Sequence, residues 1–249
     1  MTNYVLVIQN DRFFLPEHLP KLLVFKPPVL AIVLGSKPSH VSRLKMLKHY
    51  FALFGFVNSL KLVLMTLLRI IKKDKDVSSI LREHKVPTVF GKRLTKDLIL
   101  KNLRCPNANI LVSVACPEKI SPSILASFPL GGINLHGGYL PDFPGVFSAF
   151  WCLYKQSRWA GCTIHFISDE FDSGPILKRK RFAIDSSWSM FDVYHKVTEK
   201  GVSLLIQSLE DTGHQKTIKP SRSKIRQNYN SFPTLREGWA FRRRGLKVL

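Results

Sequence analysis

The stretch "GINLHGGYLPDFPG", residues 132–145, decides how this chain is read. A short apolar run leads into Asn134 and His136, and the chain then breaks at Gly137-Gly138 and a loop bounded by Pro141 and Pro144. On a strand, positions i and i+2 share a face. An amide donor and an imidazole that exchanges protons near neutrality can therefore converge on one reacting centre. An Asn-x-His pair alone does not define a site, so the surrounding pattern has to supply the context.

Working outward, residues 4–9, 29–34 and 110–114 are short apolar runs with the composition of buried strands, and residues 86–89, 163–167 and 176–184 read as further strands. Helical spacing appears at 15–23, 77–84, 95–102 and 122–127, and from Met190 past Leu209. Strands alternating with helices predict an α/β fold: a mainly parallel twisted sheet with flanking helices. Such sheets bind ligands outside the carboxyl ends of their strands. Asn134 and His136 are expected at such an end.

With 249 residues, 45% of them hydrophobic, the chain can build one sizeable core. Its four cysteines form no C-x-x-C pair and no Cys/His cluster, which predicts reduced thiols, a cytoplasmic setting and no metal. The start, "MTNYVLVIQNDRFF", lacks a basic segment followed by an apolar one, so a secretory signal is not expected. Lys and Arg number 38 against 17 acids, for a net charge of +21. Such a charge attracts nucleic acid, anionic lipid headgroups or phosphorylated substrates without choosing among them.

Two regions stand outside the strand–helix alternation. Residues 44–75 are apolar with basic flanks, and Tyr50–Ile71 is long enough to span a bilayer. Gly55, Asn58 and Lys61 interrupt it, and Lys45, Lys48, Arg69, Lys72 and Lys73 edge it. Two helices packed on the sheet are the favoured expectation, and an amphipathic helix on a membrane surface is the alternative. Residues 214–249 carry ten Lys/Arg and one acid, interleaved with Tyr229, Phe232, Trp239 and Phe241. Packing with aromatics inward is favoured over single-stranded nucleic-acid binding. The expected organisation is one domain over 1–213, containing the basic helical segment 41–75, followed by a basic aromatic tail over 214–249.

The second informative stretch is "GCTIHFISDEFDSGPIL", residues 161–177. A strand passes into Asp169, Glu170 and Asp172 and then a Ser173-Gly174-Pro175 turn. A carboxylate there can reach a histidine on a neighbouring strand, fix its tautomer and raise its pKa. The same acids can instead be turn and capping residues. His165 alternates with Ile164 and Phe166, so it is expected to pack or line a pocket rather than to catalyse.

Together these two stretches resemble the signatures N-I/L-H-x-S-L-L-P-x-x-x-G and H-x-x-x-x-x-D-x-G-x-I of the formyltransferases that use 10-formyltetrahydrofolate. The resemblance runs most clearly from Val112 to Leu177. It implies a Rossmann-like catalytic domain and a triad of Asn134, His136 and Asp172. It also implies that the pterin of the donor bonds to backbone near Ala115, Cys116, Pro117, Glu118 and Ile120, and near Ser168, Asp169 and Glu170. No metal is implied, and Cys116 is expected to pack rather than react.

Some positions depart from the family pattern. Gly137-Gly138 and Tyr139 replace the usual Pro-Ser and Leu. The purine-pathway enzyme cradles a phosphate in a glycine-rich segment after its first strand, whereas here the corresponding "QNDRFFLPE" has no glycine. The tRNA-formylating enzyme carries a C-terminal barrel longer than the residues that follow the last core helix here. The formyl-folate hydrolase carries an extra N-terminal domain. The implied acceptor is therefore the primary amine of a small molecule, an amino-sugar or a lipid-linked amine. The alternatives are methionyl-tRNA formylation, hydrolysis of the formyl-folate, or a non-catalytic basic binding protein. Peripheral contact with an anionic membrane surface is the alternative role for the basic helical segment, and nucleic acid is not favoured as a partner.

Overall fold

The apolar runs form the middle of a seven-stranded sheet in a computed structural model that describes residues 2–35, 42–103, 108–213 and 229–249. In chain order the strands are β1 (Tyr4–Gln9), β2 (Leu30–Leu34), β3 (Thr88–Gly91), β4 (Ile110–Val114), β5 (Gly132–His136), β6 (Trp159–Phe166) and β7 (Ile176–Ala183). Their spatial order is β3-β2-β1-β4-β5-β6-β7. The first five pair in parallel, while β6 and β7 run antiparallel. The chain moves outward from β1 to β3, then returns to the other side of β1 at β4. In open α/β sheets, ligands bind beyond the carboxyl ends of the strands at such a reversal.

The central strands are apolar at nearly every position because both faces of the sheet are covered. Tyr4, Leu6 and Ile8 of β1 join one buried cluster, and Val5 and Val7 join the other. The first face packs against α1 (Leu15–Phe25), α6 (Ser148–Tyr154) and α7 (Met190–Gly213). The second packs against α4 (Lys96–Asn102) and α5 (Pro122–Leu125) through Ile99 and Ile124. The remaining helices are α2 (Arg43–Ile71), α3 (Val77–Glu83) and α8 (Leu235–Arg243).

Where β1 enters α1, the Asp11 carboxylate accepts the N–H groups of Phe13, Phe14 and Leu15 at 3.1, 2.7 and 2.7 Å. These donors would otherwise be free to hold an anion at a helix start. In α2, Gly55 adopts φ +69° and divides the helix in two. The carbonyls of Ala52 and Leu53, next to the break, accept from Arg242 Nη1 at 3.0 and 2.9 Å. Phe241 is fully buried one residue earlier, stacked on Phe150 at 4.7 Å.

The aromatics at the chain end therefore divide. Phe241 is in the core and Phe232 packs on Phe147, but Trp239 and Tyr229 remain 56% and 42% exposed. The tail cations Lys216, Lys219, Arg222, Lys224 and Arg226 lie outside the described residues, as does Cys105. Four elements differ from expectation. β3 lies two residues later than expected, because it is a half-exposed edge strand with a weak apolar signal. β6 starts at Trp159 rather than 163. Neither α6 nor α8 was expected as a helix: six of the seven α6 residues are buried, so no polar face marks its period.

Candidate active site

β5 presents Asn134 and His136 on one face, and its antiparallel neighbour β6 decides what they meet. The register sets Asn134 opposite His165 and His136 opposite Thr163. Asn134 Nδ2 lies 3.2 Å from His165 Nε2, while His165 Nδ1 lies 2.8 Å from the Phe166 carbonyl. With the proton on Nδ1, His165 donates to that carbonyl and accepts one Asn134 N–H at Nε2. The second amide hydrogen of Asn134 stays available for an oxyanion.

Asp172 closes the group from the loop after β6. It holds φ +53°, in the left-handed region. Its Oδ1 is 3.3 Å from His136 Nδ1 and 3.7 Å from His165 Nε2, so one oxygen faces both imidazoles. Its Oδ2 accepts the Gly145 N–H at 2.7 Å. Burial pushes the Asp172 carboxyl up, but the two histidines and the Gly145 N–H outweigh that and hold it below the usual carboxylate range.

His136 is buried, with 7% of its surface exposed. Its Nε2 sits 2.8 Å from the Phe143 carbonyl. Burial is the largest influence on the ring and lowers its pKa below the ordinary value, against the pull of Asp172 and that carbonyl. The sequence-based expectation of a raised pKa is thus corrected: the carboxylate acts in the expected direction, and desolvation exceeds it. A neutral ring can donate to only one of these two oxygens. A ring that gains a proton can donate to both. That is the arrangement a transient proton carrier needs.

The Gly137-Gly138 departure has a steric reason. A Cβ on Gly138 would stand 2.3 Å from the Phe143 oxygen and 2.6 Å from His136 Nε2, so the loop closes this tightly only with glycine. Thr163 fixes the same loop, donating to the Gly138 carbonyl at 2.8 Å and accepting from Leu140 N at 3.0 Å.

The loops named for the pterin flank this group. Ala115, Cys116, Pro117 and Glu118 leave the end of β4, next to β5. Glu118 Oε2 accepts Leu94 N, Cys116 donates to the Glu118 carbonyl, and Ile120 is buried in the core. Burial pushes the Cys116 thiol up to about 11, which keeps it protonated. On the other side Ser168 shares hydrogen bonds with Ser173 and the Glu170 carbonyl. Asp169 and Glu170, with Lys119, Phe171 and Tyr229, line an open cleft of about 350 Å³.

Two groups here were not named from sequence as site residues. His165 was expected only to pack or line a pocket, yet it bridges Asn134 and Asp172. Asn230 was not singled out at all. Its side chain donates to the Pro144 carbonyl at 2.9 Å, its backbone N–H donates to the same oxygen at 3.0 Å, and its carbonyl accepts Val146 N at 2.9 Å. It thereby holds the loop whose Gly145 N–H meets Asp172. Away from the triad, Glu17, His18 and His195 bring ligand-type atoms within 4.8 Å of one another.

A family model described as formyl transferase matches residues 68–209, which include Asn134, His136 and Asp172. This chain belongs to the formyl transferase family. Curated relatives of this chain include the methionyl-tRNA formyltransferase of Flavobacterium psychrophilum, 28% identical over 140 residues, covering 55% of this chain and 44% of that protein. That of Trichormus variabilis is 30% identical over 138 residues, covering 55% and 41%. The match thus spans under half the length of these relatives. Among solved structures, phosphoribosylglycinamide formyltransferase from Anaplasma phagocytophilum superposes with a TM-score of 0.61 at 16% identity, covering 87% of this chain and 89% of that one. An N-formyltransferase from Helicobacter canadensis, in complex with folinic acid and dTDP-3-aminofucose, gives 0.61 at 14% identity, covering 93% and 71%. At these identities the structural likeness establishes the fold.

Proposed function

We propose that this formyl transferase moves a formyl group from 10-formyltetrahydrofolate to the primary amine of a small-molecule acceptor, an amino-sugar or a lipid-linked amine. The observation that carries the reading is the convergence of Asn134, His136 and Asp172 beside a cleft at the carboxyl edge of the sheet. The acceptor nitrogen attacks the formyl carbon and forms the new C–N bond. The free N–H of Asn134 donates to the resulting oxyanion. His136 exchanges its Phe143 partner for the reacting amine, takes the amine proton and returns it to N10, directly or through water. The bond from the formyl carbon to N10 then breaks and tetrahydrofolate leaves. Asp172 orients the ring and offsets its transient charge. Once both substrates are held together, proximity supplies much of the remaining acceleration.

The pterin is assigned to the cleft between residues 115–120 and 168–172, where backbone groups and the Asp169–Glu170 turn can meet its polar edge. The start of α1 supports an acceptor other than a ribonucleotide phosphate. Its first N–H groups are already bonded to the Asp11 carboxylate, which occupies the place an anion would take. Methionyl-tRNA formylation is the second reading, favoured by the names of the curated relatives and by the charge of +21. Residues 1–213 are assigned as the catalytic domain. Residues 229–249 serve it by holding the loop at Gly145, and the basic tail as a whole is an appendage of that domain. A cytoplasmic location with a membrane-peripheral face fits the composition.

The test is release of tetrahydrofolate from 10-formyltetrahydrofolate by purified protein with a panel of amines: nucleotide amino-sugars, lipid-linked amino-sugars, amino acids, polyamines and charged initiator tRNA. Release that depends on a small amine supports the proposal. Release only with tRNA supports the second reading. Release without any amine would make the protein a hydrolase, and no release with any acceptor would overturn the enzymatic reading.

A further inference from the structure

The second half of α2, from Phe56 to Ile71, has its amphipathic pattern reversed. A helix on the surface of a soluble protein points apolar residues inward. Here the side chains spaced three or four apart along the outer face are Phe56, Leu60, Val63, Leu64, Leu67 and Ile71, which are 50–75% exposed. The inner face mixes Leu62 and Met65 with polar residues. Arg69 turns toward the body, where its Nη1 donates to the Arg12 carbonyl at 2.6 Å and its guanidinium covers the Phe13 ring. Asn58 and Thr66 bond to their own helix backbone. Only 17% of the apolar window in Tyr50–Ile71 is buried in the protein. An exposed apolar strip several turns long marks a surface that meets something apolar.

We infer that this face of α2 docks in the plane of an anionic phospholipid bilayer. Charge selects this occupant. Lys61 projects from the strip, Lys72 and Lys73 follow it directly, and the whole chain carries +21. A second copy would bring like charges together, whereas an anionic lipid surface attracts each cation near it. Lysine can keep its ammonium at the headgroups while its stem lies on the apolar layer. The helix lies flat rather than spanning, because Leu62 packs against the core and Arg69 ties it to the loop after β1. Over sixteen residues the strip is about 24 Å long. The adjacent α8 exposes Leu235 and Trp239, and Arg243 lies over the Trp239 ring at 4.9 Å. Aromatic side chains of this type favour the interface between water and lipid.

The inference does not depend on formyl transfer, and its test does not read turnover. The full chain is floated with vesicles of phosphatidylcholine alone or mixed with phosphatidylglycerol, at low and high salt. The expected result is flotation with the anionic vesicles, weakened by salt, and release from them in alkaline carbonate. Leu60→Glu/Leu67→Glu replaces two exposed residues and should leave the fold intact by circular dichroism. It should lower vesicle partitioning by about tenfold or more. Equal flotation with both vesicle types would overturn the inference, as would an unchanged double variant. Retention in carbonate would overturn the in-plane orientation. If the double variant instead converted a dimer to a monomer without vesicles, the face would be a self-association surface and the inference would fail.

Discussion

Asp172 Oδ1 faces two imidazoles at once, His136 Nδ1 at 3.3 Å and His165 Nε2 at 3.7 Å. A single buried carboxylate thus orients the proposed proton carrier and also faces the residue that holds the proposed oxyanion donor. The two halves of the chemistry share one anchor.

Asp172→Asn keeps the shape of that anchor and removes its charge. Burial already lowers the pKa of His136, and the carboxylate opposes this. Without the charge, the pKa of His136 falls further. The neutral ring is the form that accepts a proton, so the acid limb of the pH–rate profile should shift to lower pH while the plateau rate drops. A rate–pH series on both proteins measures it. A limb moving to higher pH would contradict the assignment.

Asn134→Ala removes the amide proposed to donate to the oxyanion. Turnover should fall roughly 10²–10³-fold, the scale for one such donor. Binding of the folate, followed by fluorescence, should change little. A loss confined to binding would place Asn134 in substrate recognition instead.

His165→Leu leaves Asn134 without its acceptor and free to rotate. Misplacement by about an ångström can cost on the order of 10²-fold. The loss should appear in kcat with KM nearly unchanged, and Asn134→Ala should add little to it. Additive effects in the double variant would mean that the two residues act separately.

The central strands could be read from sequence to within a residue, because a strand buried on both faces is apolar along its length. Asn134 and His136 were legible for a similar local reason, since period-two geometry puts them on one side of β5. The role of His165 was not. It depends on the antiparallel register between β5 and β6, which no local pattern encodes. α6 was missed because burial on every side removes the helical period. Asn230 was invisible for another reason: it reaches Pro144 across 86 positions of chain. The reversed pattern of α2 also needed the structure, because the sequence gives the apolar spacing without showing which side meets the core.

Asn230→Ala tests that distant contribution. It removes one of the two donors to the buried Pro144 carbonyl and loosens the loop at Gly145. The expected cost is about 1–3 kcal/mol of stability, read from denaturant unfolding. Turnover of the folded fraction should also fall, as Gly145 no longer holds Asp172. A loss of stability with full turnover would make Asn230 purely structural.

The most direct measurement is single-turnover release of tetrahydrofolate by the wild-type protein and by His136→Ala, each with 10-formyltetrahydrofolate and the amine it uses best. The variant's fold is to be checked by thermal unfolding. Wild-type release lowered by several orders of magnitude in His136→Ala, with unfolding unchanged, is the expected result. Near-equal release by a folded variant would show that formyl transfer does not run through His136 and would contradict the assignment of the site.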